Sequence, residues 1–178
     1  MAVLSVVSLG TGSAEYLTRG GEAAMRNAKQ LVLRTGRSPI ASFLTEQGFD
    51  FDTLDDLYEQ CEDFDAFHQA AAVTLFSRMK EGDLCYVVSD AAFDGTVFAL
   101  QRLKPRDLEL RIVPGVSLAD CCLSLIKRQS GHVRIMSACE LEESKLLPDE
   151  PLLLCELYSR ECAGDCKLKL MELLPDEL

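Results

Sequence analysis

Three segments of this chain have residue types that could hold a ligand. They are Gly10-Thr11-Gly12-Ser13, Ser89-Asp90-Ala91-Ala92-Phe93-Asp94-Gly95 and Pro114-Gly115-Val116-Ser117. Each follows a short apolar run. Glycine in such a place permits positive φ or close approach of backbone to a ligand. The first segment invites a dinucleotide reading, but the third glycine of Gly-x-Gly-x-x-Gly falls on Glu15. A carboxylate there repels a pyrophosphate at a helix N-terminus. Arg34-Thr35-Gly36 closes the next apolar run without an acid for a ribose, and no Gly-Lys-Ser/Thr completes a P-loop. The first loop therefore reads as a tight turn, with a nucleotide-binding enzyme as a minor alternative. In the third loop, Ser117 is an expected N-cap, with Asp120 three residues on. Backbone N–H groups at that helix start are also free to face a ligand carboxylate.

Other reactive side chains are less organised. Cys121 and Cys122 are adjacent, and Cys162 and Cys166 share one face of an expected helix. Neither pair is a C-x-x-C knuckle, and His68 and His132 stand alone, so no metal site is expected. The thiols read as small buried hydrophobes. Glu59-x-x-Glu62 and Glu62-x-x-Asp65 overlap, so they cannot make two helical carboxylate pairs. The acidic stretch 46–65 reads as a solvated face. No residue earns a catalytic role, and Tyr86 reads as a buried strand tyrosine near the second loop.

The elements that must position these loops alternate. Strands are expected at Leu4–Ser8, Leu31–Arg34, Phe49–Leu54, Leu84–Val88 and Leu110–Val113. Helices are expected at Tyr16–Asn27, from Pro39 to Gly48, from Phe64 to Lys80, at Thr96–Lys104 and at Leu118–Arg128. Phe64, Phe67, Ala71 and Leu75 form one apolar stripe. Strand-helix alternation with short connections implies a mostly parallel sheet flanked by helices, an α/β fold. Ligands of such sheets bind beyond the carboxyl ends of the strands, where all three loops fall. The tail adds strands at Val133–Met136 and Leu152–Leu157, a turn at Pro148–Pro151 and a helix at Cys162–Leu174. That is too little for an independent domain.

Composition narrows the partners. The chain has 178 residues, with Lys+Arg 18 against Asp+Glu 29 and a net charge of −11. The acidic balance argues against nucleic acid, which needs clustered cations, and against a polybasic membrane-surface role. The apolar start, Met1 to Ser8, has no preceding Lys or Arg and is short of the ~20 residues of a spanning helix. It reads as a buried strand, and the expected location is cytoplasmic with reduced thiols.

With these segments in place, the chain resembles a known family. Ser8-Leu9-Gly10-Thr11-Gly12-Ser13-Ala14-Glu15-Tyr16-Leu17-Thr18 looks like the opening of tetrapyrrole (corrin/porphyrin) methylases. Glu81 to Val88 looks like the lead into their fourth strand, and Val113-Pro114-Gly115-Val116-Ser117 resembles their Pro-Gly turn. Tyr158-Ser159-Arg160 with Lys167 to Glu177 is similar to the methylase-like domain at the N-terminus of MazG-type (YabN-like) nucleotide pyrophosphohydrolases. The resemblance covers essentially the whole chain. It implies a first α/β domain over residues 1–115 and a partial second over 116–178, with S-adenosylmethionine between them. The implied cofactor residues are Gly10, Thr11, Gly12, Ser89, Asp90, Ala91, Ala92, Ser117 and Leu118. The implied reaction is methyl transfer to a small acceptor, a tetrapyrrole in the family, and a homodimer is implied too.

The chain departs from the family at three points. Thr11 stands where the family has proline, and Ser89-Asp90-Ala91-Ala92 replaces Gly-Asp-Pro or Pro-Gly-His-Pro. A side chain at Asp90 is expected to intrude on the cofactor's path. The family's second domain continues with more strands beyond the point matching Leu178. A non-catalytic binding or regulatory module associated with a MazG-type pyrophosphohydrolase is the alternative expectation.

Overall fold

A computed structural model of the chain describes residues 2–11, 13–126, 132–141, 146, 151–157 and 159–173. The chain divides into two compact units, Met1–Cys121 and Cys122–Leu178.

The first unit is built on five parallel strands: β1 (Val3–Ser8), β2 (Gln30–Leu33), β3 (Asp52–Thr53), β4 (Leu84–Val88) and β5 (Glu109–Val113). Their spatial order is β3-β2-β4-β1-β5. Leu4 sits beside Leu84 on one side and Leu110 on the other, which fixes the central register. The central strands are continuous apolar runs because helices cover both faces of a parallel sheet. Side chains alternate accordingly. Leu4, Val6, Leu84, Tyr86 and Val88 face one core with Phe67, Ala71, Leu75, Val97 and Leu100. Val7, Leu31, Leu33, Cys85 and Val87 face the other, with Met25, Ile40, Ala41 and Leu44. Burial of a side chain of Leu or Val size contributes about 1.5–3 kcal/mol.

Those helical residues come from α1 (Arg19–Asn27), α2 (Ile40–Glu46), α4 (Phe64–Arg78) and α5 (Gly95–Leu103); α3 (Asp55–Glu59) and α6 (Leu118–Leu125) complete the helices up to Leu125. The helix expected from Tyr16 starts later. A short 3-10 turn spans Ala14–Tyr16, Leu17 and Thr18 are extended, and the Thr18 hydroxyl accepts from the Gly21 amide at 3.1 Å. A side-chain oxygen at the N-cap satisfies a donor that the helix cannot, so α1 begins at Arg19. Asp63 caps α4 in the same way, through the Ala66 amide at 2.7 Å. Helix α6 runs to Leu125, and residues 127–128 of the expected helix lie outside the described residues.

The acidic stretch is mostly solvated, as expected, with one exception. Asp55 is half-buried at the start of α3. It accepts from Thr35 Oγ1 at 2.6 Å and the Gly36 amide at 2.8 Å. Burial, the largest influence, pushes its carboxyl up, but bonds from Thr35, Gly36 and Thr53 and the Arg37 charge together hold it below the usual 3.8. Arg78 and Arg37 pair at the surface with Asp52 and Glu59.

In the second unit, β6 (Arg134–Ser137) and β7 (Leu152–Cys155) pair in parallel. Helix α7 (Arg160–Leu173) buries Cys166 with Met136, Ala138 and Leu141. Cys162 packs against the same cluster, consistent with thiols acting as small hydrophobes. The tail turn expected at Pro148–Pro151 has its residues 148–150 outside the described set. Among the described residues, no helix is long and apolar enough to cross a membrane.

Candidate functional site

All five strands of the first unit run parallel, so β1, β4 and β5 deliver their following loops to one edge of the sheet. The loops do more than share an edge. The Leu9 amide donates to the carbonyls of Val88 and Ser89 at 2.9 and 3.1 Å. The Ser8 hydroxyl, buried, accepts from the Ala91 amide at 3.0 Å. These bonds tie the first loop to the second.

Contact between backbones ties the first loop to the third. Gly10 has φ +72, and a Cβ there would lie 2.7 Å from the Val116 carbonyl oxygen. A Cβ on Gly115 would overlap the Ser8 carbonyl. Glycine is thus required at both positions, by conformation and space at Gly10 and by space at Gly115.

The second and third loops meet through Asp90. Its Oδ1 accepts from the Ala92 amide at 3.0 Å, and its Oδ2 accepts from the Leu118 amide at 3.2 Å. The carboxylate therefore sits at the N-terminus of α6, where the helix dipole favours an anion. This corrects two expectations. Asp90 does not project freely across the loop, because two backbone donors draw its carboxylate in. The first amides of α6 are not free for a ligand either. Leu118 gives its N–H to Asp90, and Ala119 gives its own to Ser117 Oγ at 3.2 Å, so Ser117 does cap the helix.

The other expected residues take these places. Thr11, Ser89 and Ala92 are exposed, Ala91 is buried, and Ser117 and Leu118 are half-buried. Gly12 lies outside the described residues.

Beside this cradle is a polar cluster that residue spacing did not reveal. Arg34 directly follows β2, and its guanidinium pairs with Asp94 at 2.5 Å, with side-chain exposures of 28% and 3%. Asp94 also caps α5 through the Val97 amide at 3.1 Å. The guanidinium carbon lies 5.7 Å from the centre of the Phe67 ring. Tyr86 is fully buried, and among the described residues its hydroxyl has no hydrogen-bond partner of good geometry. Burial first, then the Asp94 charge, pushes that phenol well above its ordinary value, against smaller opposing effects of Arg34 and Thr96.

His68 does not stand alone, as its sequence setting suggested. Its Nδ1 lies 3.0 Å from the Thr96 hydroxyl, and its ring rests where a Cβ on Gly95 would be. The signals for this cluster were faint: an arginine ending an apolar strand, and an aspartate before Gly95-Thr96 in N-cap position.

Comparison with known proteins places this geometry. The family described as tetrapyrrole (corrin/porphyrin) methylases matches residues 3–157. The uncharacterized protein YabN of Bacillus subtilis (strain 168) is 28% identical over 178 residues, which cover 98% of this chain and 36% of that protein. The chain thus spans about a third of the length of that relative. A cobalamin-synthesis-related protein, CobF, of Corynebacterium diphtheriae is similar in structure, with TM-score 0.65, 18% identity and coverage of 93% of this chain and 76% of that one. Precorrin-6Y methylase, CbiE, of Archaeoglobus fulgidus gives TM-score 0.62 and 15% identity over 85% of this chain and 72% of that one. A diphthine synthase gives TM-score 0.64 and 16% identity over 94% and 72%. At these identities the structures report the shared fold.

Proposed function

Because the chain belongs to the tetrapyrrole (corrin/porphyrin) methylases, we propose that the cradle at the ends of β1, β4 and β5 binds S-adenosylmethionine for methyl transfer to a small acceptor. The observation that carries this reading is the mutual bracing of the three loops through Ser8, Gly10, Asp90 and Gly115. A cradle assembled without a ligand loses little conformational freedom on binding.

The residues present suit the cofactor. Backbone and small side chains line the loops, and the Asp90 carboxylate is folded back onto α6. With the Ala91, Ala92, Leu118 and Ala119 amides engaged internally, these four residues keep only their backbone carbonyl acceptors to offer. Acceptors match the cofactor's sulfonium and ammonium groups. When bound, the cofactor supplies an activated methyl group. The chain's own part is to hold donor and acceptor in line, which is the larger share of such catalysis. No side chain of the cradle is assigned an acid or base role.

A second reading follows from the same engaged amides. Fewer free donors favour a non-catalytic module that retains the fold, as part of a longer protein of the MazG-type pyrophosphohydrolase kind. Calorimetry of the chain with S-adenosylmethionine and S-adenosylhomocysteine separates the two. Saturable heat with either supports the cofactor reading, and absence of heat with both removes it in favour of the module.

A further inference from the structure

Helices α4 and α5 leave a groove of about 310 Å³ between them, lined by residues of both helices and by Gly95, where the second loop enters α5. From its residues we infer that it binds a flat nitrogen heterocycle of the nucleobase type, presented as a nucleoside. The groove has two rings. Phe98 is 54% exposed, a large apolar surface that the core does not use. His68 is half-buried, fixed in place by its bond to Thr96 and by the absence of a side chain on Gly95. Phe98 presents the face on which a base stacks, and His68, itself stacked on Phe64 at 6.1 Å, forms the wall beside it.

The remaining lining supplies a hydrogen-bonding edge. Asp65 accepts, Arg102 donates, and the Gln69 amide does both. Asp65 and Gln69 are one turn apart on α4, and Phe98 and Arg102 are one turn apart on α5. Residues four apart on a helix share a face, so each helix brings a ring or rim group to the same slot. A rim of one acid, one base and one amide suits a neutral ring that both donates and accepts. It does not suit a bare anion, which the net charge of −11 also disfavours. The volume is at the low end of the ~300–1,000 Å³ of small-molecule sites, enough for a nucleoside and not for a large macrocycle. This inference is independent of the cofactor reading.

The test is a titration of the ¹⁵N-labelled full chain with adenosine, guanosine, cytidine and uridine in turn, followed by NMR. At least one nucleoside is expected to shift the Gln69, Gly95 and Phe98 amides in a saturable way. Phe98→Ala removes an exposed ring and is expected to weaken binding at least about tenfold, the scale of one lost stacking contact. Gly95→Ala, which forces the His68 ring aside, is expected to do the same. No saturable shift with any of the four overturns the inference. So do shifts confined to Gly10, Ala91 and Val116, or an unchanged affinity in Phe98→Ala. A parallel titration with S-adenosylmethionine reads the loops. If it shifts nothing there while nucleosides shift the groove, the cofactor reading fails and this one stands.

Discussion

The Asp90 carboxylate accepts the Leu118 amide at 3.2 Å, so a residue of the loop after β4 caps the helix that follows β5. Twenty-eight positions separate the two residues. The bond makes two loops one structural piece.

Removing that cap should loosen the cradle. Asp90→Ala is expected to lower stability by about 1 kcal/mol, the ordinary worth of an N-cap acceptor. Asp90→Asn, which keeps one acceptor oxygen, should lose less. Urea denaturation of the three proteins measures this. Equal midpoints for wild type and Asp90→Ala would contradict a capping role.

A side chain at Gly10 should be costlier. Positive φ and a carbonyl 2.7 Å from the new Cβ act together in Gly10→Ala. The expected loss is about 1–3 kcal/mol. Cofactor heat in calorimetry should vanish with it, because the first and third loops can no longer meet. Unchanged heat in a folded Gly10→Ala protein would place the cofactor elsewhere.

The buried ion pair gives a sharper contrast. Arg34→Ala leaves Asp94 in the interior with no guanidinium. Loss of one partner of a fully buried pair costs ~3–5 kcal/mol, and the partial exposure of Arg34 lowers the expected value to about 2 kcal/mol. Tyr86→Phe, in contrast, deletes a buried hydroxyl that makes no good hydrogen bond. It should be neutral or stabilising by up to about 1 kcal/mol. Thermal unfolding of both variants tests the assignment, and a large loss in Tyr86→Phe would show that its hydroxyl is bound after all.

Acid should reveal Asp55. Its folded carboxyl is held below the usual 3.8, so the unfolded chain binds the proton first as pH falls. The stability this group contributes is present above about pH 4 and disappears as pH drops through the folded value. Asp55→Asn should therefore be less stable than wild type at pH 7, with the gap narrowing below pH 4. Urea midpoints across that range measure the gap. A constant difference would mean that the carboxylate charge is not what Thr35 and Gly36 hold.

The layers of this fold were readable because their signals are local. Leu84 to Val88 is an unbroken apolar run, and Pro114-Gly115 can only be a turn. The meeting of the loops at one edge follows from parallel strands alone. Thr18 is hidden as a cap in the sequence because Tyr16 and Leu17 carry the helical pattern ahead of it. His68 looked solitary because Thr96 is 28 residues away, and Asp90 looked obstructive because the amides it serves lie across the fold. Hydrogen bonds between distant segments leave no periodic trace in a sequence.

Strand β1 lies between β4 and β5, the two strands that come last in the first unit. Val3 to Ser8 therefore leaves the ribosome long before either neighbour exists. At about 5–20 residues per second, the delay before Leu84 and then Leu110 arrive is on the order of ten seconds. During that time an apolar strand with two open edges must be kept from other nascent chains. Its pairing also closes long loops before any contact rewards it, which slows folding. A waiting period for β1 during synthesis is thus built into the strand order, whichever ligand the finished loops hold.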